Sequence, residues 1–294
     1  MSSTLSIGLI GAGTLGKSLA LGLATAGYRV TAVASRTYAS AETLAEMIPG
    51  CTAVRQAQEL VDRCDLVFVT TTDEAVSRVV ADLRWSPGQG VAHCSGSGSL
   101  DLLLPAVRMG AHCGSLHPFQ TFAGLVAPQD ALERFRGITF AVEGDGWLLE
   151  ALEGMAVDLG GRVIRLNAND RSLYHASAVM SCGYLVALLK AAAEIWRHIG
   201  VTEEEGVQAM LPLARATLEN VASMGPDGAV TGPMVRGDAD TLQGHLEALK
   251  ARLPDILPLY LALSRASIPL AASRVEGERL REMKNLISEY TPQP

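Results

Sequence analysis

Thr4-Leu5-Ser6-Ile7-Gly8-Leu9-Ile10 is a short apolar run that leads directly into Gly11-Ala12-Gly13-Thr14-Leu15-Gly16, and a helix-like segment follows from Lys17 to Ala26. Strand, glycine turn and helix come in the order that a dinucleotide requires. Gly11 allows the tight turn, Gly13 lets the backbone approach a pyrophosphate, and Gly16 lets the helix pack close to the strand. Thr14 and Leu15 complete the turn, and the N–H groups and partial positive charge of the helix N-terminus face the phosphates. Gly11, Gly13, Thr14, Leu15 and Gly16 are therefore the first candidate cofactor-binding residues. The alternative is a glycine turn that only packs a helix on a sheet.

The second strand, Tyr28 to Ala34, ends in Ser35-Arg36-Thr37. A site for NAD usually places an acid here, about 20 residues after the glycines, to hold the ribose 2′-hydroxyl. The nearest carboxylate is Glu42, inside the next helix. Two hydroxyls and a guanidinium suit a 2′-phosphate instead, which Arg grips bidentately. The strand end thus favours NADP(H) over NAD, unless Arg36 is only a solvated surface charge.

Working outward, the first half of the chain alternates strands with helices. Further strands are expected at Asp65–Thr70, Gly90–Cys94, Gly110–Ser115, Ile138–Val142 and Arg162–Leu166, with helices at Ser40–Ile48, Asp73–Leu83, Leu100–Val107 and Trp147–Leu159. This is the pattern of a parallel α/β sheet. From about Arg171 no strand is expected. One helix would run from Arg171 to His198, on the order of 40 Å at 1.5 Å per residue. A second would run from Thr202 to Met224, a loop from Gly225 to Gly237, and further helices from Asp238 to about Tyr290. The expected architecture is an N-terminal Rossmann domain, residues 1–168, and an all-helical domain, residues 169–294, with Asn167-Ala-Asn-Asp170 capping the helix at the boundary.

Composition narrows the function. The chain has 294 residues, 48% of them apolar, enough for two cores; its formal charge of −7 and the lack of a Lys/Arg cluster argue against a nucleic-acid partner. Five cysteines at irregular spacing, without a C-x-x-C pair, fit reduced thiols in a cytoplasm. The N-terminus enters the first strand directly, with no signal-peptide pattern. Ala176 to Leu189 is almost wholly apolar but spans only 14 residues, short of the roughly 20 that a membrane span needs. The first long helix is apolar nearly all round, which points to a homodimer packed through the helical domain. The alternative is a monomer whose later helices wrap around it.

In an open parallel sheet, ligands sit beyond the carboxyl ends of the strands. Those ends carry Thr70-Thr71-Thr72-Asp73, Cys94-Ser95-Gly96-Ser97 and Leu116-His117-Pro118-Phe119-Gln120. Thr70, Thr71 and Ser95 join Ser35, Arg36 and Thr37 as candidate cofactor contacts. His117 is the first candidate for proton transfer, since an ordinary imidazole pKa of about 6.5 suits that role. It could instead only hydrogen-bond its own loop. His93 and His112 read as strand histidines. Tyr174 and His175 open the long helix and could face substrate; Asn220 and Arg236 are a candidate catalytic amide and a candidate anchor for an acid group. Arg236 could equally pair with Asp238, which reads as a helix cap. No Ser-His-Asp arrangement and no H-E-x-x-H metal site is found.

Thr231-Gly-Pro-Met-Val-Arg-Gly-Asp238, with Thr241 and His245-Leu-Glu-Ala-Leu249, resembles a group of Rossmann-like proteins whose C-terminal half is the domain of unknown function 2520. Cys94-Ser95-Gly96, Leu116–Phe122 and Leu173-Tyr174-His175-Ala176 resemble it too. The group is related to pyrroline-5-carboxylate reductases and 6-phosphogluconate-dehydrogenase-like enzymes. The resemblance implies an NADP-type oxidoreductase with a helical dimerisation domain, and it names no substrate. It also implies an Asn about eight residues after His175, where this chain has Gly183, a departure at a candidate substrate-binding position. The function expected is hydride transfer between NADP(H) and a small C=N or C=O compound in the cleft between the domains. His117 or His175 would donate the proton, Thr71, Ser95 and Asn220 would position groups, and Tyr174, Gly183 and Arg236 would contact substrate. The relation to pyrroline-5-carboxylate reductase puts imine reduction slightly ahead of hydroxyacid oxidation. Gly183 keeps open a non-catalytic NADP-binding sensor or scaffold, and related folds keep open a deazaflavin coenzyme.

Overall fold

A computed structural model describes residues 5–123 and 128–291 of the chain; Thr4, where the opening apolar run begins, lies outside them. The chain forms two compact units, residues 1–182 and 183–294.

The first unit is built on one eight-stranded sheet: β1 (Ser6–Ile10), β2 (Arg29–Ala34), β3 (Thr52–Val54), β4 (Leu66–Val69), β5 (Gly90–His93), β6 (His112–Pro118), β7 (Thr139–Gly144) and β8 (Arg162–Arg165). Their spatial order is β3-β2-β1-β4-β5-β6-β7-β8. All neighbours pair in parallel except β6 and β7, which run antiparallel with Leu116 opposite Val142 and His117 opposite Ala141. The order reverses at β1, between β2 and β4, and a crevice opens at such a switch point. β3 is absent from the sequence reading because three residues at a sheet edge carry too little pattern to register. β6 runs three residues past the expected end, so His117 is itself a strand residue.

The central strands of the sheet are buried on both faces because they alternate apolar side chains to either side. Ile7, Leu9, Phe68 and Leu116 go to one face, under Leu19 and Leu23 of the helix Thr14–Thr25 and Leu148 and Leu152 of the helix Gly146–Asp158. Ile10, Val67, Val69 and Val91 go to the other, under Val76 and Val80 of the helix Asp73–Ala81. Burying each such side chain stabilises by about 1.5–3 kcal/mol, and the two layers together fix the carboxyl ends of β1, β4, β5 and β6 at one edge.

The helix expected from Arg171 to His198 is interrupted. It runs from Arg171 to Ser181, breaks at Cys182 (φ −121°, ψ −78°), and a new helix runs from Gly183 to His198. Within Ala168–His198 an 18-residue window has a mean hydropathy of 1.5, and only 6% of that window is buried. The break leaves helices of 11 and 16 residues, each shorter than the roughly 20 residues a span needs. Asp170 stands at the cap position before Arg171 but makes no side-chain capping bond, so the expected boundary cap does not form; the helix start is held by Arg171 instead.

The second unit is helical: Gly183–His198, Glu203–Ala229, Pro233–Arg236, Ala239–Arg252, Leu257–Ala271 and Gly277–Glu289. Its core gathers Met234, Leu242, Leu246, Leu261, Met283 and Ile287. Thr202 and Glu205 form a reciprocal capping box at the start of the long helix. That helix does not end at Met224 as expected. Gly225 kinks it (φ 70°, ψ 170°), Pro226 follows, and the helical turns continue to Ala229. The expected 225–237 loop is therefore mostly helical. Asp238 does cap the next helix, its carboxylate accepting from the Thr241 N–H at 3.1 Å.

Candidate active site

The glycine turn is built as the motif requires. Gly11 has φ +120°, and its N–H donates to the Ala34 carbonyl at 2.8 Å, tying the turn to the end of β2. A Cβ on Gly11 would stand 2.7 Å from the Thr70 carbonyl oxygen, and one on Gly16 would strike the Gly11 carbonyl. Gly16 is thus a packing residue. At Gly13 a Cβ would meet nothing within 4 Å, so the space before the helix N-terminus is open. No carboxylate occupies the first turn of that helix, and its partial positive charge is uncompensated by the helix itself.

Beside the turn lies a cavity of about 640 Å³. Gly11 and Gly13 border it at one end, Ser35, Arg36 and Thr37 along the end of β2, and Thr71 and Thr72 beyond β4. Thr70 also lines it, but its hydroxyl donates to the Gly11 carbonyl at 2.8 Å, so Thr70 shapes the turn. Two cations that sequence reasoning did not single out join Arg36 here: Arg55, just after β3, and Arg78, in the helix Asp73–Ala81. Arg55 lies over the Tyr38 ring, 3.9 Å from its centroid, a contact that holds a guanidinium in place. No motif marks Arg55; only the closure of β3 onto β2 brings it to the cavity.

A second cluster lies at the ends of β5 and β6. His117 Nδ1 is 2.7 Å from the Tyr174 hydroxyl, and the two rings meet edge to face at 5.4 Å. Phe119 packs on the other side of Tyr174 at 5.4 Å. A Cβ on Gly96 would stand 2.6 Å from His117 Nε2 and 2.9 Å from His175 Cδ2, so both imidazoles converge on this glycine. Burial pushes the His117 pKa down to about 4, with His175 and Arg171 acting in the same direction. Burial pushes the Tyr174 phenol up to about 12. At neutral pH the ring is an uncharged imidazole beside a protonated phenol.

Arg171, 2% exposed, anchors this cluster. Its guanidinium donates to Glu143 at 2.7 and 3.0 Å, to the Ser95 carbonyl at 3.2 Å, and to the Ser115 hydroxyl. One side chain thereby joins β5, β6 and β7 to the helix that carries Tyr174 and His175. The Ser95 hydroxyl donates to Asp73 at 2.7 Å and accepts from the Gly98 N–H at 2.8 Å, so it organises its own loop rather than standing free. His93 is the core histidine expected: it is fully buried, accepts from the Ser95 N–H and meets the Ser99 carbonyl. His112 pairs with Asp145 at 2.7 Å.

The remaining candidates belong to the second unit. Gly183 opens its helix, and a Cβ there would meet nothing within 4 Å. Asn220 is exposed on the long helix. Arg236 is exposed and lies 3.7 Å from Asp238, the pairing that the sequence offered as its alternative. Among the described residues no group of three or more His, Cys, Asp or Glu could hold a metal ion.

Known proteins resemble this chain in both halves. Residues 1–118 match the Rossmann-like domain family and residues 138–267 match the domain of unknown function DUF2520. A Bacteroides fragilis protein assigned as an NADP oxidoreductase superposes with a TM-score of 0.71 at 28% identity, over 90% of this chain and 98% of that one. A 1-pyrroline-5-carboxylate reductase of Streptococcus pyogenes has a TM-score of 0.60 at 16% identity, over 91% and 98%. A reductive aminase of Aspergillus terreus, in complex with NADPH, has a TM-score of 0.62 at 19% identity, over 97% and 93%. A search of curated proteins finds no match. The chain joins a Rossmann-like domain to a DUF2520 domain.

Proposed function

We propose that this protein is a cytoplasmic NADP(H)-dependent oxidoreductase that moves a hydride between nicotinamide and a small C=N or C=O compound. The observation that carries the reading is the cavity beside the glycine turn. It offers an open backbone approach at Gly13, no carboxylate at the end of β2, and Ser35, Arg36 and Thr37 in its place. Diphosphate would lie against the N–H groups that follow Gly13, and the 2′-phosphate beside Arg36. The cofactor would supply the hydride. His117, backed by Tyr174, would donate a hydrogen bond or proton to the acceptor. The assignment of the Bacteroides fragilis relative as an NADP oxidoreductase supports the same cofactor.

The helical unit would form a homodimer. Tyr184, Val186, Leu213 and Met224 are large apolar side chains left 55–71% exposed, which such a pairing would cover. Asn220 and Arg236 are kept as substrate-contact candidates, Arg236 for an acid group.

A melting-temperature titration tests the reading. NADPH at 100 times its Kd stabilises by about 2.7 kcal/mol, so a clear upward shift is expected with NADPH, a smaller one with NADH and none with a deazaflavin. A shift with the deazaflavin alone would overturn the cofactor assignment. Gly183, in place of the Asn implied by the resemblance, favours the second reading, an NADP-binding sensor. That reading predicts binding of NADPH with no acceptor ever reduced.

A further inference from the structure

The cluster at the ends of β5 and β6 carries hydrogen-bond donors without acceptors. Among the described residues His117 Nε2 has no partner, and no fully buried side-chain nitrogen or oxygen lacks one, so Nε2 is open to a ligand. The N–H of Gly96 also makes no hydrogen bond among the described residues. The two are adjacent, since a Cβ on Gly96 would stand 2.6 Å from Nε2.

Tyr174 bears on which proton His117 holds. Its hydroxyl has one partner, His117 Nδ1 at 2.7 Å. A phenol is a better donor than acceptor, and with the phenol donating, Nδ1 accepts and the remaining ring proton sits on Nε2. His117 thus presents an N–H, not a lone pair, to whatever binds beside Gly96.

The carboxylates near the cluster are all engaged. Glu143 is held by Arg171, and Asp73 by the hydroxyls of Ser95 and Ser97 at 2.7 and 3.2 Å. Arg171, His175 and His93 are the other titratable side chains beside the cluster, and the Asp73 carboxylate acts on His117 in the opposite direction to Arg171 and His175. Hydride addition to a carbonyl develops negative charge on oxygen, which such donors stabilise. Hydride addition to an iminium makes no such use of them, because an iminium nitrogen has no lone pair to accept from an N–H donor.

We propose that the hydride acceptor at this site is the carbonyl of a ketone or aldehyde, held through its oxygen by His117 Nε2–H and the Gly96 N–H, and that the reverse reaction oxidises the alcohol. The proposal rests on the oxidoreductase reading above. In the reductive direction a C–H bond forms from the hydride of NADPH, which ends as NADP⁺, while the C=O π pair moves onto oxygen. That oxygen takes the Nε2 proton as Nδ1 takes the phenol proton of Tyr174. A phenol is a stronger acid than an alcohol, so the transfer runs downhill. The half-buried phenolate recovers its proton from water.

The test uses the purified full chain with NADPH. NADPH fluorescence is titrated first, and then its oxidation is followed with aldehydes, ketones and 2-keto acids, with cyclic imines, and with an N-methylated cyclic iminium salt. The expected result is NADPH binding and a kcat/KM at least tenfold higher for a carbonyl than for any imine or iminium. His117→Ala should lower carbonyl turnover by about 10²–10⁴ with the NADPH Kd unchanged. His117→Gln, whose amide N–H can reach the Nε2 position, should recover part of it. Reduction of the iminium salt as fast as the carbonyls would overturn the proposal and leave the oxidoreductase reading standing. Binding of NADPH with no acceptor reduced would overturn it too. Absence of NADPH binding would overturn both.

Discussion

The hydroxyl of Tyr174 lies 2.7 Å from Nδ1 of His117, although 57 residues separate them. A strand end and the first turns of a helix meet at one hydrogen bond. In the proposed mechanism Tyr174 is the proton source behind the imidazole, and Tyr174→Phe removes it. The expected effect is a fall in kcat of about tenfold or more, with the KM for NADPH unchanged. A loss confined to the KM for NADPH would place Tyr174 in cofactor binding instead.

Gly96 is where the two imidazoles leave no room. Gly96→Ala puts a methyl group within 3 Å of both His117 and His175. Overpacking of this kind costs about 1–3 kcal/mol. Denaturant unfolding should show a loss in that range, and turnover should fall further than stability explains while NADPH binding persists. Unchanged turnover would show that the rings need not hold these positions.

Arg171 is buried and shared among three strands. Arg171→Met leaves the Glu143 carboxylate without its cation, and breaking a buried pair costs about 3–5 kcal/mol. Urea unfolding of Arg171→Met and of the double variant Arg171→Met/Glu143→Gln measures this. The double variant should be less destabilised than the single one. Equal stability of both would mean that the pair contributes only packing.

Stability should depend on pH between about 4 and 6.5. Burial holds both His93 and His117 down to about 4 in the folded state, while the unfolded chain titrates near the ordinary 6.5. In that window the unfolded state binds more protons, so stability falls as pH drops through it and is fully retained above it. Urea midpoints at pH 7.5, 5.5 and 4.5 should decrease in that order. His93→Gln should flatten the slope, and a flat profile in the unmodified chain would contradict the neutral assignment.

Much of this was legible in the sequence because it depends on short-range pattern. Gly11, Gly13 and Gly16 announce the turn, and Ser35-Arg36-Thr37 at the end of β2 announces residues that line the cavity. His117 was readable because strand ends in a parallel sheet point to one edge. Tyr174 was noticed, but its bond to His117 was not, since nothing local encodes a contact across 57 residues. Arg171 carried no signal at all: a lone Arg at a helix start looks like a surface charge until three strand ends close around it. Arg55 was missed for a related reason, as β3 is too short to announce where it ends. The break at Cys182 was also invisible, because Ser181-Cys182-Gly183 interrupts the apolar pattern too briefly to read as a stop.

The most direct test of the account is a crystal structure of the protein with NADPH. It predicts diphosphate oxygens against the backbone amides that follow Gly13, the 2′-phosphate within hydrogen-bond distance of Arg36, and the nicotinamide reaching toward Gly96 and His117. Density for NADPH elsewhere, or a 2′-phosphate turned away from Arg36 into solvent, would contradict it.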